Sequence, residues 1–190
     1  MKKTLLSALA LSAILALSGC GSDSTPAKQE NNNSGNNNSG GTNLDEYPET
    51  GTPPTTKKTN LVKPLSTEGV FQQGGDLKIN NDGTGGLIIQ FGKTRLTTHM
   101  YTGGANSGLT EPLKAEMKIG MKIVADAPIN TLIYSPADNL NLEAQYIPAG
   151  KHTTYLYFTT NTTIPDNQYF YLKSEANATV HIKEFELFQN

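Results

Sequence analysis

Glu116-Met117-Lys118-Ile119-Gly120-Met121-Lys122-Ile123 alternates polar and apolar residues with a period of two. An extended chain with that period puts Met117, Ile119, Met121 and Ile123 on one face. The segment reads as a strand with one buried side. Gly120 falls on the outer side, where a missing side chain permits a close approach or a bulge. Further along, Thr153 to Thr160 and Tyr169 to Ser174 are rich in aromatic and β-branched residues, which suit a pleated surface. Val180-His181-Ile182 alternates, and Phe185-Glu186-Leu187 resumes out of phase. A bulge near Lys183-Glu184 would return the second set to the core. Asn81-Asp82-Gly83 divides Leu77-Lys78-Ile79 from Leu87-Ile88-Ile89 as a hairpin turn, with Asp-Gly supplying the positive φ angles.

About nine strands follow from this pattern. Nine are expected over 77–80, 87–91, 95–101, 115–125, 130–135, 142–147, 152–160, 168–174 and 179–188, and a further one near Val70. Gly- and Pro-rich turns separate them, among them Gly103 to Gly108, Pro136 to Asn139, Pro148-Ala149-Gly150 and Pro165-Asp166-Asn167. No stretch beyond the N-terminus has helical spacing. Many short strands with regular turns predict an all-β sandwich or barrel.

The chain has 190 residues, 17 % of them charged and 36 % hydrophobic, with no Trp and one Cys. That length holds one core plus extensions. A single Cys excludes an intramolecular disulfide and a Cys-based zinc site. A net charge of -2 gives no footprint for nucleic acid.

The first residues carry Lys2 and Lys3, then an apolar run from Leu5 to Leu17. That run reaches about 20 Å as a helix, short of the ~30 Å hydrocarbon core. It reads as a secretory signal over residues 1–19 and not as a membrane span. Leu17-Ser18-Gly19-Cys20 resembles the lipobox of bacterial lipoproteins. The resemblance implies cleavage before Cys20, a lipid on its sulfur and an acylated amine. Two or more acyl chains anchor stably where one holds marginally. Gly21, in place of the Asp that favours inner-membrane retention, implies the outer membrane if the host is Gram-negative.

Residues 20–60 hold the lipidated Cys and an Asn/Gly/Ser run, Asn31 to Gly41, followed by Pro48, Pro53 and Pro54 among Thr and Lys. Such a stretch buries too little to offset the entropy of ordering, and is expected to be a disordered tether. Forty flexible residues span roughly 35 Å, enough to clear the head-group layer. Residues 61–190 remain for the folded domain.

In that domain Tyr146-Ile147-Pro148-Ala149-Gly150-Lys151 leads into the aromatic strand from Thr153, and the last strand reads Ile182-Lys183-Glu184-Phe185-Glu186-Leu187. This order resembles the galactose-binding-like jelly roll of carbohydrate-binding modules of the family 4/9 type. The resemblance implies a jelly-roll β-sandwich, with an immunoglobulin-like sandwich as the alternative. An acidic pair in the family's last strand often helps hold calcium. Lys183 stands at its first position, which opposes a hard cation there.

The residues offer little catalytic material. His99, His152 and His181 have no metal-ligand spacing and read as unrelated surface histidines. His181, opposite in face to Val180 and Ile182, is expected to be solvated. No Gly-x-Ser-x-Gly elbow occurs, and Gly83-Thr84-Gly85-Gly86 lacks the third glycine of a dinucleotide loop. No enzyme, cofactor or metal is expected. Tyrosine is the notable enrichment. Tyr155 and Tyr157 share one face of a strand, and Tyr169 and Tyr171 share one face of the next. If those strands are neighbours, the four rings form a ligand-binding patch, each with a π-face and a hydroxyl. The expectation is a lipid-anchored envelope protein that presents a glycan-binding domain. The alternative is a structural or protein-interaction lipoprotein without glycan binding.

Overall fold

The computed structural model describes residues 46–135, 144–161 and 169–190. The signal-like segment and Cys20 lie outside the described residues, as does the Asn/Gly/Ser run. Ten strands are described: β1 (Glu49–Thr50), β2 (Lys78–Asn81), β3 (Leu87–Gln90), β4 (Thr97–Tyr101), β5 (Lys118–Ala127), β6 (Thr131–Tyr134), β7 (Gln145–Ile147), β8 (Gly150–Thr159), β9 (Tyr169–Lys173) and β10 (Thr179–Gln189). They form a six-stranded sheet in the order β1-β8-β5-β10-β3-β2 and a four-stranded sheet in the order β4-β9-β6-β7. The architecture is an all-β jelly-roll sandwich.

The alternation in β5 works as its sequence implies. Ile119, Met121 and Ile123 are fully buried and Met117 packs against them. Leu87, Ile89, Val180, Ile182 and Leu187 complete that inner face. Met100, Ile133, Ile147, Phe170 and Leu172 oppose them from the four-stranded sheet. The rings of Phe158 and Phe170, one from each sheet, meet edge-on at 5.6 Å. The out-of-phase pattern in β10 resolves as expected: its register on β5 shifts between Ile182 and Glu184. The bulge lets Val180, Ile182, Phe185 and Leu187 all point inward.

Gly120 serves close approach and not a bulge. It pairs with Phe188 on one side and Tyr157 on the other. A Cβ there would lie 2.1 Å from the Phe188 ring. The two rings lean over the glycine and meet at 6.3 Å, so they cover the gap it leaves.

Three expectations are corrected. Near Val70 there is no strand. Val70 and Phe71 are buried, but the segment is held to β4 from Gln72 alone, whose N–H donates to the His99 carbonyl and whose carbonyl accepts from the Thr98 hydroxyl. Residues 46–60, expected within the tether, are described as part of the domain, where β1 pairs in parallel with β8 and Tyr47 is buried. Low apolar content misleads here because the contact is made by backbone: the Thr153 N–H donates to the Pro48 carbonyl, and the Leu61 N–H to the Leu187 carbonyl. The β2–β3 turn uses Gly83 and Gly85 for its positive φ angles, +81° and +99°. Asp82 serves through its side chain instead, accepting from the N–H groups of Thr84 and Gly86 at 2.7 and 2.8 Å.

Candidate functional site

The four tyrosines singled out by the sequence are not brought together. Tyr155 and Tyr157 lie on β8 in the six-stranded sheet, and Tyr169 and Tyr171 on β9 in the other. The chain crosses between sheets after β8, so strands consecutive in sequence are not neighbours. Tyr155 and Tyr157 face the N-terminal strap. The Tyr157 hydroxyl donates to the Thr52 carbonyl at 2.7 Å, and the Tyr155 hydroxyl to the Glu49 carboxylate at 3.4 Å.

Tyr169 and Tyr171 do join an aromatic cluster, with partners the sequence reading did not select. In β4, Thr98 and Met100 are buried, which turns Thr97, His99 and Tyr101 outward. In β9, buried Phe170 and Leu172 turn Tyr169, Tyr171 and Lys173 outward. In β6, buried Ile133 leaves Leu132 and Tyr134 outward. Register then sets the rows. Tyr101 opposes Tyr169, and His99 opposes Tyr171, which Tyr134 flanks on its other side. In the next row Thr97, Lys173 and Leu132 stand abreast, and Tyr146 of β7 opposes Leu132.

The rings touch. Tyr169 and Tyr171 meet edge-on at 4.9 Å, His99 and Tyr101 at 4.9 Å, and Tyr101 and Tyr169 at 5.9 Å. Tyr134 lies over Tyr171 at 5.2 Å and an interplanar angle of 32°. All five are half-buried, whereas Tyr146 at the margin is 59 % exposed. Edge-to-face contacts at these distances stabilise a fixed ring array. A hydrogen bond with Tyr169, together with burial, pushes the Tyr171 hydroxyl up to about 12. Burial lowers the His99 pKa, and the nearby Arg95 charge lowers it further. The lowering favours the neutral imidazole of His99, and the platform sets hydroxyls and that imidazole among apolar ring faces. His99 belongs to this array and is not an unrelated surface histidine.

A separate polar cluster on the six-stranded sheet is centred on Asp82. The Asp82 carboxylate is buried beneath the β2–β3 turn. It accepts from Thr84, Gly86, His181 at 2.9 Å and Lys183 at 3.0 Å. His181 is thus bonded and half-buried, not solvated. The Lys183 ammonium supplies a cation to this carboxylate from within the chain. Among the described residues, no three His, Cys, Asp or Glu side chains converge as metal ligands.

The outward residues of β4 were within reach of the sequence. Thr97-Thr98-His99-Met100-Tyr101 alternates, so inward Met100 makes His99 and Tyr101 outward. What the alternation does not carry is the pairing of β4 with β9.

No family model matches the chain, and no curated protein does. Solved structures do. The second N-terminal cellulose-binding domain from Cellulomonas fimi beta-1,4-glucanase C is 13% identical, covering 72% of this chain and 97% of that one, with a TM-score of 0.48. The CBM22-1 xylan-binding domain from Paenibacillus barcinonensis Xyn10C is 14% identical over 70% of this chain and 97% of that one, with a TM-score of 0.43. A chain of accessory secretory protein 1, 2 and 3 in Streptococcus pneumoniae is 10% identical over 71% and 99%, with a TM-score of 0.42.

Proposed function

We propose that this protein is a non-catalytic binding protein whose outer four-stranded face stacks saccharide rings, and that a lipid on Cys20 holds it at the outer membrane. One observation carries the binding reading: His99, Tyr101, Tyr134, Tyr169 and Tyr171 form a contiguous ring array on the outward side of that sheet. A sugar ring presents an apolar C–H face flanked by hydroxyls. The array presents π-faces flanked by hydroxyls and an imidazole, which is the complementary chemistry. A domain that spent these rings on its own core would have buried them, and the core is filled without them by Met100, Phe170, Leu172 and Ile133.

The test is binding on a glycan array with two variants. Tyr171→Ala should weaken binding about tenfold, ~1.4 kcal/mol, by removing the ring that touches Tyr134, His99 and Tyr169. Tyr157→Ala, on the other sheet, should leave binding unchanged. Equal binding by wild type and Tyr171→Ala would take the site off this face. Absence of binding to any glycan would leave the structural or protein-interaction lipoprotein as the better reading.

A further inference from the structure

The strands of the aromatic platform carry one charged side chain and no carboxylate. On the six-stranded sheet Lys122 pairs with Glu184, Lys183 with Asp82 and Lys151 with Glu46, whereas Lys78 and Lys118 have no ion pair among the described residues. On the four-stranded sheet none of β4, β6, β7 or β9 contains an Asp or Glu. Yet Lys173 stands outward on β9, between Thr97 and Leu132 in the row beside Tyr171. It is exposed, and no ion pair involves it among the described residues. Arg95 precedes β4 and has no ion-pair partner there either, but its guanidinium lies at the Gly74–Gly75 turn and its backbone N–H donates to the Asp76 carboxylate. Its charge adds to the lowering of the His99 pKa. Glu175 follows Lys173 in the turn toward β10 and bonds to neither cation. Among the described residues of these strands, the ring array therefore has an unpaired ammonium beside it and no carboxylate.

A sugar hydroxyl both donates and accepts, so the tyrosine hydroxyls and the imidazole serve any saccharide, and a carboxylate would add a strong acceptor for paired hydroxyl protons. This face has no carboxylate in its strands. A free ammonium beside stacked rings complements a negative charge on the ligand instead. We propose that the platform takes an acidic saccharide, its sugar ring stacked at Tyr171 and its carboxylate paired with Lys173. The proposal rests on the stacking reading above and adds the ligand's chemical class. The geometry allows it: Lys173 follows Tyr171 by two residues on one face, about 7 Å along the strand, within reach of a lysine's four-carbon stem.

The test is affinity electrophoresis of the full chain in gels holding one polymer each: polygalacturonate, alginate, hydroxyethylcellulose or galactomannan. Retardation should be strongest with the two uronate polymers and should fall as salt rises. Lys173→Met should weaken uronate binding about fivefold and leave the neutral gels unaffected. Tyr171→Ala should weaken binding about tenfold in every gel that shows retardation. Stronger retardation by the neutral polymers, or a Lys173→Met variant retarded by uronate like wild type, would overturn the proposal while leaving the stacking face standing if Tyr171→Ala still weakens binding. Retardation by no polymer would overturn both. Lys173 is exposed on its strand, so the variant retains the core.

Discussion

Asp82 links a turn to a distant strand. Its carboxylate gathers the N–H groups of the β2–β3 turn and, about a hundred residues on in sequence, the side chains of His181 and Lys183. Burial pushes its pKa up, but the hydrogen bonds from Thr84, Lys183 and Gly86 outweigh that and hold it below the usual carboxylate range. Asp76 is held at about 2 by the N–H groups of Thr94, Arg95 and Lys93 and the Thr94 hydroxyl. Both folded-state values lie below the unfolded value. Their stabilisation is therefore complete above the unfolded carboxylate pKa and is lost as pH falls through the folded values. The melting temperature should hold steady near pH 5 to 7 and decline from about pH 4 toward 2. Asp82→Asn should cost about 2 kcal/mol at pH 7, because Lys183 and His181 lose a buried partner. It should also flatten the acid decline, and calorimetry across pH reads both effects. A variant as stable as wild type at pH 7, with the same acid slope, would show that the carboxylate does not tie the turn to β10.

β10 is the element on which the larger sheet depends. It lies between β5 and β3 and pairs with both. Val180, Ile182, Phe185, Leu187 and Phe188 are all buried. Each such side chain contributes ~1.5–3 kcal/mol, so together they rival the whole ~5–15 kcal/mol stability of a domain. Deleting Val180 to Asn190 should abolish cooperative unfolding by circular dichroism; a truncated chain that still melts near wild type would remove β10 from the core. The importance of this strand was legible in its apolar residues, and its bulge in their change of phase. The faces of β5 and β4 were legible from alternation for the same reason: side-chain direction is a local property of an extended chain. Pairing is not local. Nothing within 150–159 or 169–173 states that these segments join different sheets, so Tyr155 and Tyr157 were grouped with Tyr169 and Tyr171. For the same reason Tyr134, from a strand between β9 and β7, went unselected. β1 was missed because a two-residue strand held by backbone bonds has no periodicity to read.

At the scale of the whole molecule, the folded domain follows an N-terminal segment whose cysteine is the expected anchor. Cys20→Ser should yield an unacylated protein found in the aqueous phase of a detergent partition, while wild type enters the detergent phase and incorporates labelled fatty acid. Two or more acyl chains at ~0.8 kcal/mol per buried methylene make that difference all but complete. Equal partitioning of the two would refute the lipid anchor. The placement of β1 against β8 has a consequence for how the molecule behaves in company. With β1 present, the outer side of the ten-residue β8 is partly occupied by the protein's own backbone. A chain shortened to residues 61–190 would leave that side bare, with N–H and C=O groups free to pair. Bare strand edges template the addition of further chains and lead to aggregation. The short segment before the core therefore shields an edge that would otherwise template self-assembly.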